Sequence, residues 1–216
     1  MQEDLCSIKD LDRVIDKGDI MEKFHHNLML DGQKIALHTA PKSGSTSSKA
    51  ILLRLLGDTS VFTHEFPWWP HNKIPNKPFE PIYDAKYRIG FLRDPVARFV
   101  SGYCDIAIFR EKAKGQPSIT EFINNFDVYN VNSSINHHFA PQVEYLGDDV
   151  DYYTHLYTPS TIHDFRKLLE DISGRETEDL HLKAQRDIPK PKLTKEQELW
   201  IKNRYAIDYQ IYGEQM

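Results

Sequence analysis

Apolar residues along the chain fall into short continuous runs that are separated by longer stretches with helical spacing. Three runs are bounded by turn residues, as is typical of buried strands, and they occupy residues 34–39, 87–92 and 152–157. Segments with helical spacing or helix-start signals lie at residues 50–57, from 95 onward, at 161–172 and at 194–209. The pattern therefore predicts strands that alternate with helices.

This alternating order is typical of an α/β fold. We expect a single domain over residues 1–216, with a central, mainly parallel sheet flanked by helices. Residues 1–31 are expected to form an N-terminal extension. Residues 66–81 hold five of the 12 prolines, which argues against regular hydrogen-bonded structure and predicts a long ordered loop.

Composition narrows the classes of function. The chain has 27 lysines and arginines against 32 aspartates and glutamates, and its net charge of -5 argues against a nucleic-acid-binding surface. Two cysteines supply neither a disulfide framework nor a thiolate metal site. No apolar run approaches the roughly 18 residues of a membrane helix. We therefore expect a cytoplasmic protein without nucleic-acid or membrane partners.

The first strand-to-helix junction carries small polar residues that suit a phosphate group. They are Lys42, Ser43, Gly44, Ser45, Thr46 and Ser47. Backbone N–H groups and the positive end of the helix dipole converge in such a loop, and Lys42 adds a mobile cation. An ordinary serine-rich turn is the alternative. The phosphate loop of nucleotide kinases is disfavoured because its lysine follows the last glycine, whereas Lys42 precedes Gly44.

The second junction also places polar residues where a strand ends and a helix begins. Arg93 follows the apolar run and can bind a phosphate with its guanidinium, while Asp94 can cap the helix. Ser101 lies two turns into that helix, on the stripe that carries Arg98 and Asp105. The alternative is a local ion pair between Arg93 and Asp94, with Ser101 as an ordinary helix residue.

The two junctions together resemble the motifs of sulfotransferases that use 3′-phosphoadenosine 5′-phosphosulfate (PAPS). Residues 41–47, PKSGSTS, are similar to the 5′-phosphosulfate loop P-K-[ST]-G-[ST]-[ST] of that family. Residues 93–103, RDPVARFVSGY, are similar to its 3′-phosphate motif R-D-P-x-x-R-x-x-S-x-Y. The resemblance covers residues 35–103, and weaker similarity at 138–142 and 193–212 points to the carbohydrate or heparan-type branch. It implies PAPS as co-substrate, a carbohydrate or small-molecule acceptor, and no metal.

The resemblance also implies roles for individual residues. Lys42 would be catalytic and would stabilise charge on the leaving phosphate, within a loop of residues 42–47 that binds the phosphosulfate. Arg93 and Ser101 would bind the 3′-phosphate. The general base would lie on the segment after the first helix, where both His64 and Glu65 fit, and the sequence does not separate them.

Aromatic and histidine residues are candidates for contact with the acceptor. Trp68 and Trp69 lie in the proline-rich loop and could stack on an acceptor ring or act as local packing anchors. His138 could contact the acceptor. Together with His137, it is also an alternative source of the base.

Two lysines in the C-terminal part of the chain are candidates for contact with the nucleotide. Lys190 and Lys192 fall where related enzymes have a basic loop near the nucleotide, and a solvated charge run is the other interpretation.

A nucleotide kinase and a catalytically silent nucleotide-binding protein are the alternatives to a sulfotransferase. A kinase would prefer ATP with Mg²⁺, and a silent protein would bind the nucleotide without transfer.

Overall fold

The computed structural model describes residues 28–57, 74–177 and 189–216. These residues form one four-stranded sheet whose strand order follows the sequence. The strands are β1 (Leu28–Leu30), β2 (Gln33–Thr39), β3 (Tyr87–Phe91) and β4 (His155–Tyr157). β1 pairs antiparallel with β2, whereas β2, β3 and β4 are parallel neighbours. The prediction of an α/β fold with a mainly parallel sheet is confirmed.

The register of the parallel strands brings their carboxyl ends into line. Thr39 at the end of β2 lies opposite Phe91 at the end of β3, and Phe91 lies opposite Tyr157 at the end of β4. The segments that follow these strands therefore leave the sheet at the same edge. This edge is where ligands bind in open parallel sheets.

Helices surround the sheet and fill most of the remaining described chain. Five of them are α1 (Ser45–Leu55), α2 (Pro95–Gly102), α7 (Ile162–Ser173), α8 (Lys195–Arg204) and α9 (Ala206–Tyr212). The helices between α2 and α7 have four to seven residues and are α3 (Ile119–Asn124), α4 (Phe126–Tyr129), α5 (Ser133–Phe139) and α6 (Val143–Leu146). A π-helical segment, Tyr103–Phe109, continues α2. No helix within the described ranges is long and apolar enough to span a bilayer.

The two largest of four apolar clusters within the described residues pack helices against the sheet and against one another. One lies between the sheet and helices α1 and α7, where Phe91 packs edge-on against Phe165 at a centroid distance of 4.9 Å. The other joins α2, the π segment, α5 and α8 through aromatic rings, with Phe99 at 5.0 Å from Phe139. Gly102 permits this approach, because a Cβ there would lie 2.9 Å from the Phe139 ring.

The structure moves several predicted boundaries. α1 begins at Ser45 rather than near residue 50, so the second half of the small-residue loop forms the first helical turn. β4 is limited to His155–Tyr157, because Val150–Tyr152 form a 3-10 turn. Strand β1 lies at the end of the segment expected to be an N-terminal extension, most of which is outside the described residues.

The predicted C-terminal helix is divided in two at Tyr205. Its start is as predicted, since Thr194 and Gln197 form a capping box. Tyr205 leaves helical geometry with φ -108° and ψ 28° and donates its hydroxyl to the carbonyl of Phe139 at 2.7 Å. The break also brings the Asp208 carboxylate onto two backbone N–H groups at the start of α6. Tertiary hydrogen bonds therefore override the local helical pattern.

Candidate active site

A tight turn joins β2 to α1 and contains two residues in the left-handed region. Lys42 has φ 67° and Gly44 has φ 92°. Glycine takes this conformation easily, whereas for Lys42 it costs about 1–2 kcal/mol. Ser43 is fully buried, and its hydroxyl donates to the carbonyl of Ala40 at 2.7 Å. The Ser43 side chain therefore stabilises the turn in this structure.

Helix α1 begins directly after this turn with a glycine at its N-cap. Gly44 has no side chain to accept from the first backbone N–H groups. The Ser48 N–H donates to the Gly44 carbonyl at 3.0 Å, so the N–H groups of residues 45–47 precede the hydrogen-bond ladder. Ser45, Thr46 and Ser47 thus supply the first turn of the helix, a favourable place for an anion.

Arg93 links the end of β3 to this turn. Its guanidinium donates to the carbonyl of Lys42 at 2.9 Å. The Arg93 backbone is fixed by Gln142, whose side-chain amide bonds both the N–H at 2.9 Å and the carbonyl at 2.8 Å. The two sequence motifs therefore meet through a direct hydrogen bond.

Helix α2 starts as the sequence predicts. The Asp94 carboxylate accepts from the Ala97 N–H at 2.8 Å, and Pro95 occupies the first helical position. Asp94 also accepts a hydrogen bond from the hydroxyl of Tyr209 on α9 at 2.8 Å. Ser101 is half-buried on this helix, and its role in binding a phosphate stays a prediction.

Arg98 is fully buried and serves the backbone. Its guanidinium donates to the carbonyls of Pro41 at 2.9 Å, Ala140 at 2.6 Å and His138 at 3.3 Å. Burial lowers the pKa of Arg98, while the nearby Asp208 carboxylate acts in the opposite direction. One side chain thus holds the turn between β2 and α1 against the segment around the end of α5.

The ammonium of Lys42 is engaged by an acidic residue of the π segment. Its Nζ lies 2.7 Å from Oδ2 of Asp105. The same carboxylate contacts the guanidinium of Arg110, with Nε at 3.3 Å from Oδ1. Burial lowers the pKa of Lys42, whereas Asp105 opposes that shift. The sequence placed Asp105 on the helix stripe but did not reveal this ion pair.

His138 lies in the same neighbourhood. Burial is the main cause that lowers its pKa to about 4, and the cations of Lys42 and Arg110 add to the shift. Its Nδ1 lies 2.7 Å from the carbonyl of Ser134. Because a carbonyl oxygen only accepts, Nδ1 carries the proton and Nε2 carries the lone pair. His138 is therefore a neutral imidazole close to Lys42 at neutral pH.

His137 has a different environment. Its carbonyl accepts a hydrogen bond from the hydroxyl of Tyr145 at 2.7 Å, and its Nδ1 lies 3.0 Å from the same oxygen. Burial lowers the pKa of His137 as well. These contacts tie His137 to α6, and its use as an alternative base stays a prediction.

One buried lysine near the turn is not part of either sequence motif. Lys49 on α1 is fully buried, and its ammonium donates to the side-chain carbonyl of Asn76. Thr39 donates to the same oxygen at 2.8 Å. Burial lowers the pKa of Lys49 well below its ordinary value. A single lysine within an apolar helical run is the signal that could have identified it.

Of the other candidate residues, two lie within the described ranges and four lie outside them. Lys190 and Lys192 are exposed. Burial raises the pKa of the Cys104 thiol on the π segment, and the charge of the Lys190 ammonium partly offsets that shift. Its role stays a prediction. The remaining candidates lie outside the described residues and stay predictions too: His64, Glu65, Trp68 and Trp69.

The arrangement is suited to holding an anionic ligand. Lys42 lies in the turn at the carboxyl edge of the sheet, Arg93 bonds its carbonyl, and Arg110 shares the Asp105 carboxylate with it. Across residues 28–57, 74–177 and 189–216, no group of three or more histidine, cysteine or acidic side chains is placed to hold a metal ion.

Comparisons with known proteins give one match. A family model described as "Sulfotransferase family" matches residues 25–206, which is well over half of the 216-residue chain. No curated protein and no solved structure matches the chain. The matched range contains both strand-to-helix junctions and the Lys42, Arg93 and Asp105 cluster.

Proposed function

The chain belongs to the sulfotransferase family, and we propose that its donor is PAPS and its acceptor a hydroxyl or amine group of a carbohydrate or small molecule. One observation supports PAPS as the donor. The Arg93 guanidinium bonds the Lys42 carbonyl at 2.9 Å, which joins the turn suited to a 5′-phosphosulfate with the motif suited to a 3′-phosphate. A donor with phosphate groups at both ends of one nucleoside matches such a paired arrangement.

In this proposal, each strand-to-helix junction binds one end of the donor. The turn and the first N–H groups of α1 bind the phosphosulfate, with Ser45, Thr46 and Ser47 at the helix start. Arg93 and Ser101 bind the 3′-phosphate. The guanidinium can do so because its bond to the Lys42 carbonyl uses one of five N–H donors.

The transfer itself forms a bond between the acceptor oxygen or nitrogen and the sulfur, and it breaks the sulfur–oxygen bond to the 5′-phosphate. The acceptor proton passes to a base, for which His64 and Glu65 are the proposed candidates. Lys42 stabilises the negative charge that develops on the departing phosphate oxygen. Trp68, Trp69 and His138 are proposed contacts of the acceptor.

Calorimetry without divalent metal tests the donor. We expect 3′-phosphoadenosine 5′-phosphate (PAP), the product nucleotide, to bind at least tenfold more tightly than ATP, because Arg93 and Ser101 would gain charged hydrogen bonds with the 3′-phosphate. Preference for ATP that appears only with Mg²⁺ would instead favour a nucleotide kinase.

Turnover of PAPS with a panel of glycans and phenols tests catalysis. Lys42→Ala should lower kcat by about 10²–10³-fold, which is the usual loss when one group that stabilises transition-state charge is removed. Lys202→Ala, at an exposed lysine of α8, is the matched control and should keep full activity. PAP binding without turnover by any acceptor would indicate a silent nucleotide-binding protein.

A further inference from the structure

The ion pair between Lys42 and Asp105 has a geometry that opposes donor binding. Oδ2 of Asp105 lies 2.7 Å from the Lys42 ammonium, and both side chains are largely buried, with exposed fractions of 16% and 20%. A phosphosulfate in the turn needs that ammonium and also brings negative charge toward the Asp105 carboxylate. Two anions would then compete for one cation.

We propose that Asp105 is a positioning residue that holds the Lys42 ammonium until the donor replaces it, so that binding exchanges one ion pair for another. The inference rests on the proposed function, because it assigns Lys42 to the donor phosphosulfate. Only molecules in which Asp105 has released Lys42 bind the nucleotide with full affinity, so the apparent affinity is lowered in proportion to the fraction that is released.

Arg110 makes the exchange feasible. Its Nε and Nη2 lie 3.3 and 3.4 Å from the two oxygens of Asp105. The π-helical backbone accounts for this placement, because the Arg110 N–H donates to the carbonyl of Asp105, five residues earlier, at 2.9 Å. When Lys42 turns to the donor, the Asp105 carboxylate keeps a cationic partner. The cost of leaving a buried carboxylate without one is therefore avoided.

The central test is a double-mutant cycle read out by PAP affinity. Asp105→Asn preserves shape and removes the competing charge, so it should tighten PAP binding by about 3–10-fold. In the Lys42→Ala background, the same change should alter affinity by less than about twofold, because no ammonium remains to be released. A purely structural role of Asp105 would weaken binding in both backgrounds.

Two further variants provide the controls. Asp105→Glu keeps a carboxylate in reach of Lys42 and should restore an affinity close to that of the wild type. Glu111→Gln removes a neighbouring carboxylate that bonds Gln116 rather than Lys42, and it should leave the affinity unchanged. If Glu111→Gln tightened binding as much as Asp105→Asn, general electrostatics would explain the effect and the exchange would be refuted.

The outcomes separate this inference from the proposed function. If wild-type protein binds PAP and Asp105→Asn binds it equally or less tightly, the exchange is wrong and the donor assignment stands. If wild-type protein does not bind PAP, the donor assignment fails and the exchange fails with it. Asp105→Ser offers the same test with a shorter neutral side chain, should Asp105→Asn not fold.

Discussion

Replacement of Arg98 by methionine tests whether the second motif supports the first through its buried side chain. Methionine keeps much of the apolar stem and removes the guanidinium. Arg98 is 2% exposed and donates to the carbonyls of Pro41, His138 and Ala140. In the variant, these carbonyl oxygens lose their charged donor in a site with little access to water.

The magnitude follows from these contacts. A hydrogen bond to a charged group is worth about 1.5–3 kcal/mol, and Arg98 makes such bonds to three carbonyls. Removal of a buried charge returns part of that loss, because Arg98 no longer has to be desolvated on folding. We expect a net loss of about 3–5 kcal/mol in the free energy of unfolding. For a domain of this size, that corresponds to a fall in Tm of roughly 6–20 °C.

Urea unfolding and thermal melts measure the loss, and PAP calorimetry on the folded variant measures its effect on the site. Arg175→Met is the matched control, because Arg175 is exposed, and it should change stability by less than about 0.5 kcal/mol. A loss below about 1 kcal/mol for Arg98→Met would refute the argument. It would mean that water or a rearranged backbone satisfies the three carbonyls equally well.

Three further predictions concern the site. Ser101→Ala should weaken PAP binding by about tenfold and leave the binding of adenosine 5′-monophosphate unchanged. Arg93→Ala should weaken the binding of both nucleotides, because Arg93 also holds the turn. Calorimetry with the two nucleotides measures these differences. If His64 is the base, kcat/KM should rise with pH near 6.5, and His64→Ala should remove that dependence. If Glu65 is the base, Glu65→Gln should lower the rate by about 10²–10⁴-fold. Normal rates in both variants would exclude both residues. Folding lowers the pKa of His138 from 6.5 to about 4, so stability should be lost as pH falls through that window. Urea titrations across it should show the stability of His138→Asn to fall by about 3 kcal/mol less than that of the wild type.

The sequence could predict the two junctions because their signals are local. Strand β2 is an apolar run that ends before Pro41, and β3 is one that ends before Arg93. Parallel strands in one sheet end at a common edge, so the turn after β2 and Arg93 after β3 are expected to lie close together in this fold class. The N-cap by Asp94 and the capping box at Thr194 were predictable for the same reason.

The sequence could not predict contacts that depend on packing between distant segments. Asp105 lies 63 residues from Lys42 along the chain, and a regular α-helical spacing does not describe the π segment that carries it. Lys49 meets Asn76 across 27 residues of chain, and no local pattern encodes that contact. The break at Tyr205 likewise reflects a bond to Phe139, 66 residues away.

The two arginines of the second motif explain why the motifs act as one unit. Lys42 holds a left-handed backbone conformation that a lysine would not adopt without support. The carbonyls on the two sides of its N–H, those of Pro41 and Lys42, are each bonded by one guanidinium at 2.9 Å, from Arg98 and Arg93 respectively. Because Arg93 follows the end of β3 by two residues and Arg98 lies in the first turn of α2, the five-residue spacing lets them reach adjacent carbonyls from two directions. The motif proposed to read the 3′-phosphate therefore also fixes the backbone from which Lys42 reaches the phosphosulfate.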